Sequence, residues 1–142
     1  MQVASVIQAE INRTLDVANK RVARLRAVSD VAAFLVAHFG EPSDVSSDCE
    51  MIRWTAYRWD GRKRSDSHGS VDVELHVTPM RGVYVVMFTY GMYHLPPTDK
   101  DQANKRRELA LADEWRPQLK RWVLSVKKAL RERKSKYGGE LL

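Results

Sequence analysis

Apolar residues recur along the first forty positions with the period of a helix. Val3, Ile7, Ile11, Leu15, Ala18, Val22 and Leu25 share one face at about 100° per residue, which predicts an amphipathic helix from about residue 3 to about residue 27. Arg13, Lys20 and Arg24 take the far side. Ser29 followed by Asp30 offers a cap for a second helix, whose apolar positions Val31, Phe34, Leu35 and Phe39 stop at Gly40 with Pro42 just beyond. A polar stretch from Glu41 to Asp48 then separates this helical opening, 1–40, from a region of different period.

Met51 to Trp59, rich in Ile, Trp, Thr and Tyr, predicts a first strand closed by the turn signal Asp60-Gly61, with an ambiguous inward face. Val71, Val73, Leu75 and Val77 alternate with Asp72, Glu74, His76 and Thr78, so the second strand has one buried and one wet face. Val83 to Tyr90 is apolar or aromatic at nearly every position, as in a strand covered on both sides. Beyond Pro96 and Pro97, Thr98 with Asp101 imitates a capping box and starts a third helix, which Pro117 ends near Trp115. A final helix carries the stripe Leu119, Trp122, Val123, Val126, Ala129, Leu130 and Tyr137. The reading is a single α+β domain, 1–142, of order ααβββαα. A three-stranded antiparallel sheet over 50–90 is packed by the N-terminal helices and by the C-terminal helices over 98–137.

Charge changes this picture. The chain has 142 residues, 24 Lys plus Arg against 18 Asp plus Glu, and a net charge of +6. Residues 1–97 hold eleven basic and eleven acidic side chains, so the whole excess lies in 98–142, with thirteen to seven. On the final helix Lys120, Lys127, Arg131 and Lys134 fall within about 60° of arc beside the apolar stripe, a ridge able to follow a phosphate backbone. Arg62, Lys63 and Arg64 form a basic loop tip that could join it. The bland alternative is a solvated flank that complements the helix dipole.

Other chemistry is thinner. Asp72, Glu74 and His76 project from one face of the second strand with neighbours about 7 Å apart, close enough for acid-base work, although a wet strand face looks the same. Arg53, Tyr57, Arg58, Trp59, Tyr84, Tyr90, Tyr93 and His94 could stack bases, against the commoner reading of such aromatics as packing. The lone Cys49 makes no intrachain disulfide and no cysteine-rich zinc site, which fits a cytoplasmic setting. No apolar run approaches the roughly 20 residues of a membrane span. No phosphate loop, nucleophile elbow or dinucleotide fingerprint is present, so no catalytic residue, metal or cofactor is assigned.

Helix, three strands and basic helix are similar to the double-stranded-RNA-binding domain, and Lys100, Ala103 and Lys105 resemble its phosphate-clamping helix start. Asp101 and Gln102 stand where that family carries adjacent lysines. The outline is also similar to RelE-type ribonuclease toxins, with Arg53, Arg58, Arg81 and His94 as cleft residues, but that family's opening strand is missing from Met1 to Ser5. Topology alone licenses neither function, and no family is assigned.

The sequence therefore points to a small non-enzymatic basic accessory protein that binds nucleic acid, RNA or DNA, through phosphate contacts from its last helix. The alternatives are a protein-binding regulator or assembly component of viral or mobile-element type docking on an acidic protein surface, and a small ribonuclease. No membrane partner is expected, and a homodimer, if formed, would use the sheet.

Overall fold

The computed structural model describes residues 2–59, 69–78, 82–90, 105–111 and 113–142. Arg62, Lys63 and Arg64 lie outside these residues, as do Arg81, Tyr93, His94, Lys100 and Ala103. The fold is α+β: two helices and an antiparallel sheet in the order α1 (Val3–Phe39), β1 (Asp44–Val45), β2 (Met51–Trp59), β3 (Gly69–Thr78), β4 (Gly82–Tyr90), β5 (Lys105–Leu109), α2 (Arg116–Tyr137) and β6 (Glu140–Leu141).

The expected two-helix opening is one continuous helix. No Gly or Pro stands between Ala27 and Val31, and carrying Ser29 and Asp30 inside a helix costs only tenths of a kcal/mol. Breaking there would orphan the carbonyls of one helix end and the amides of the next. Gly40, with φ 79°, closes α1 through its amide bond to the Val36 carbonyl at 2.8 Å. Its own carbonyl accepts the Trp54 indole N–H at 2.7 Å, which ties the helix end to β2.

The sheet also exceeds the expected three strands. Its order is β1-β2-β3-β4-β5, and β6 pairs with β2 on the edge that β1 also uses. A bulge at Ala56, between Thr55 and Tyr57, explains the ambiguous face of β2: Trp54 points into the core before it, Tyr57 and Trp59 after it, and Ala56 itself is buried. Residues 105–109 are a strand rather than part of a third helix. β4 offers an open edge whose backbone groups need partners, and the Lys-Arg-Arg-Glu-Leu segment supplies them from Val83↔Leu109 to Met87↔Lys105. An edge strand rich in cations also resists pairing with other chains. Gly139, at φ 84°, lets the chain pass so close to the Arg58 carbonyl that a side chain would not fit, and so delivers β6 to β2.

Among the described residues the buried apolar side chains, Val86 apart, form one cluster. Leu119, Trp122, Val123, Val126, Ala129 and Leu130 of α2, with Val28, Val31 and Leu35 of α1, face the Val, Leu and Trp side of β2 to β5. The helix begins where Pro117 predicts, with Pro in its first turn.

One cation of α2 is trapped in this core. Arg133 is 2% exposed; its Nη1 donates to Thr89 Oγ1 at 3.1 Å, while Nε and Nη2 meet no acceptor. A buried donor without a partner costs roughly 1–3 kcal/mol. Arg133→Met keeps the stem and removes the donors, so it should raise unfolding free energy in urea by about 1–3 kcal/mol. Arg133→Ala, which leaves a cavity, should lower it by about 2–4 kcal/mol. A clear loss in Arg133→Met would show that the guanidinium holds the core together rather than straining it.

Candidate nucleic-acid interface

Packing of α2 on the sheet decides where its cations point. Arg116 to Tyr137 holds nine basic residues and one acidic, Glu132. With the apolar stripe buried and Arg133 inside, the other cations are left on the flanks and back of the helix. Lys120, Arg131 and Lys134 of the expected ridge are exposed. Lys127 is half-buried: its Nζ lies 3.3 Å from His38 Nδ1 and 5.7 Å from the centre of the Phe39 ring. Burial, reinforced by the Lys127 and Lys120 charges, holds His38 below its ordinary value, so the neutral ring accepts from the lysine. Lys127 and Arg131 line a shallow groove of about 270 Å³ with His38, Phe39 and Leu130.

The opposite flank of α2 carries a second basic site. Between α2 and the edge strand lies a cleft of about 350 Å³ whose lining includes Lys105, Arg107, Arg121, Trp122 and Ser125. Strand alternation sends Lys105, Arg107 and Leu109 toward the helix and turns Arg106 to the other face of the sheet. There the Arg106 guanidinium lies 3.8 Å from the Tyr84 ring centre and pairs with Glu108. Lys105 Nζ donates to Ser125 Oγ at 3.0 Å. Among the described residues no carboxylate pairs with Lys105, Arg107 or Arg121. Trp122 is 7% exposed and its indole N–H meets no acceptor. Among the described residues the result is a set of donors and positive charges without an anion, the chemistry that suits a phosphate. The run Lys105-Arg106-Arg107 was the signal in the sequence. Its assignment to a helix hid that alternate residues would face α2.

The polar side of β3 is not wet. Asp72 and Glu74 are 5% and 6% exposed, contrary to the expectation from alternation. His76 Nε2 lies 2.8 Å from Glu74 Oε1, and the Tyr90 hydroxyl donates to Glu74 Oε2 at 2.7 Å. Arg53 sits between Asp72, at 3.9 Å, and Asp44, at 2.9 Å. Burial, with Glu74 adding to it, lifts the Asp72 carboxyl above its ordinary value against the pull of Arg53, and Asp72 Oδ1 has no partner. Burial and Glu74 push the Tyr90 hydroxyl up to about 12. No group of three or more His, Cys, Asp or Glu among the described residues could hold a metal ion. Among the described residues the aromatic set does not assemble as a platform: Tyr57 and Trp59 stack on each other in the core, and Tyr84 is sandwiched between His76 and Arg106.

No family model, curated protein or solved structure matches this chain, so its functional reading rests on geometry. None of the described helices is long and apolar enough to cross a membrane.

Asp72 gives a pH test. A carboxyl raised in the native state contributes stability that is fully present below its unfolded value, near 3.8, and is lost as pH rises through the native value. Asp72→Asn, which cannot ionise, should therefore unfold at a higher temperature than the parent at about pH 7 and lose that advantage toward about pH 4. Melting curves of both proteins across that range check it. A constant difference would mean that the carboxylate is neutralised by its neighbours.

Proposed function

We propose that the protein is a non-enzymatic nucleic-acid-binding accessory protein that grips the phosphate backbone with α2 and the β5 edge. The β5–α2 cleft carries this reading. Among the described residues, Lys105, Arg107 and Arg121 converge there without a carboxylate, beside the Trp122 N–H, which meets no acceptor. A solvated flank explains single exposed cations but not a buried indole donor without an acceptor. Across the exposed back of the helix Arg121, Lys128, Arg131 and Lys120 continue the positive surface to the other flank, so successive phosphates can be neutralised along one path. Such contacts position a backbone and carry little sequence information.

Binding of fluorescent RNA and DNA oligonucleotides, titrated at several salt concentrations, tests this. Arg107→Glu with Arg121→Glu should weaken binding of every sequence and flatten the plot of log K against log salt by about two phosphate contacts' worth, roughly 0.9 per contact on duplex DNA. Arg131→Glu with Lys134→Glu should weaken it less, because those residues lie beyond the cleft. Exposed substitutions of this kind change stability by about half a kcal/mol or less, so the fold is preserved. A parent protein that binds no nucleic acid at low salt but is retained by an acidic protein would favour the regulator reading. Magnesium-independent cleavage of RNA, lost in His76→Ala, would favour the ribonuclease.

A further inference from the structure

One apolar stripe runs the whole length of α1. Its C-terminal part, Val28, Ala32, Leu35 and Phe39, packs on the core. Ala4, Ile7, Ile11, Leu15, Ala18, Val22 and Leu25 continue the same line, and all but the half-buried Leu25 are exposed. Twelve large apolar side chains are exposed among the described residues, and seven of them lie between Val3 and Val22, at 45% to 67% exposure. Val6 and Val17 stand to one side of the stripe. From Ala4 to Leu25 six steps cover 21 positions, 3.5 residues each, which is the repeat of a left-handed coiled coil rather than of a solitary helix. Helices of this kind owe most of their stability to packing of the apolar face, and the monomer supplies no packing for it before Leu25.

We propose that residues 3–27 of α1 pair with the same segment of a second copy, antiparallel, about a two-fold axis between Thr14 and Leu15. Reversing the helix about that point sets Ala4 on Leu25, Ile7 on Val22 and Ile11 on Ala18, so the stripe complements itself as a two-fold interface requires. Charge selects the direction. Glu10 and Arg21 lie on the same flank, roughly 80–100° from the centre of the stripe, and antiparallel helices bring like flanks together. Glu10 of each chain then meets Arg21 of the other, about 3 Å apart along the axis. A parallel pair would instead set Arg21 against Arg26 of the other chain, five positions on, a like-charge contact that opposes pairing. It would also crowd two basic α2 surfaces at one end, whereas the antiparallel pair separates them by about 37 Å of helix. Among the described residues the open apolar surface is thus α1 and not the sheet, whose core face the helices cover.

Light scattering on the size-fractionated full chain should give the mass of two copies. Ile11→Asp with Val22→Asp should give one, with an unchanged near-ultraviolet spectrum, because all four tryptophans, Trp54, Trp59, Trp115 and Trp122, lie in the globular part. A monomeric parent, or a dimer that this variant leaves intact, overturns the proposal. Direction is read by disulfide trapping on a Cys49→Ser background. Ala4→Cys chains mixed with Leu25→Cys chains should cross-link, and Ala4→Cys chains linking to one another would overturn the antiparallel arrangement. Glu10→Arg should raise the dimer dissociation constant by about three- to tenfold, and adding Arg21→Glu should restore it. Failure to restore overturns the assigned charge pair.

Discussion

Burial of the α2 stripe against the sheet is the constraint on which the rest of the molecule turns. Once Leu119, Val123, Val126 and Leu130 face Val73, Leu75, Val85 and Met87, the rotation of the helix is set, and its cations have only the flanks and the back to occupy. Arg133 is the exception, and it marks how strongly the apolar contact dominates: the charge is carried into the core with two donors unsatisfied rather than the helix turning to release it. The same rotation places Trp122 and Ser125 opposite β5, so the basic cleft is a by-product of core packing that the edge strand completes.

The sheet has two unlike faces for a related reason. The core face is apolar and takes the helices. On the other face, Asp72 and Glu74 are buried among Arg53, Tyr90 and His76: both Glu74 oxygens are hydrogen-bonded, Asp72 Oδ2 faces the Arg53 charge at 3.9 Å, and Asp72 Oδ1 is left over. The Asp72 carboxyl in that setting resists ionisation, and the strand sits in a denser polar network than alternation of side chains implies.

α1 divides at about Val28. Beyond that point its stripe belongs to the core. Before it the stripe is unused by the monomer, although period and side-chain type do not change. The continuity accounts for the missing break at Ser29 and Asp30: a helix whose apolar stripe runs unbroken through that point gains nothing by stopping there.

By itself the sequence determined what local periodicity and breakers can determine. The α+β class, the existence of β2, β3 and β4, the end of α1 at Gly40, the start of α2 beside Pro117 and the apolar stripe of α2 were all legible, because each is written in spacing or in a residue with restricted backbone geometry. Tertiary structure alone decided the remainder. Residues 105–109 became a strand because β4 had an edge to fill, β1 and β6 formed because β2 had one too, and the bulge at Ala56 reset which residues of β2 face inward. The ridge of Lys120, Lys127, Arg131 and Lys134 could be drawn on a wheel, but the cleft of Lys105, Arg107 and Arg121 could not. It joins a strand to a helix through contacts that no local pattern encodes, and only the packed chain brings those charges together.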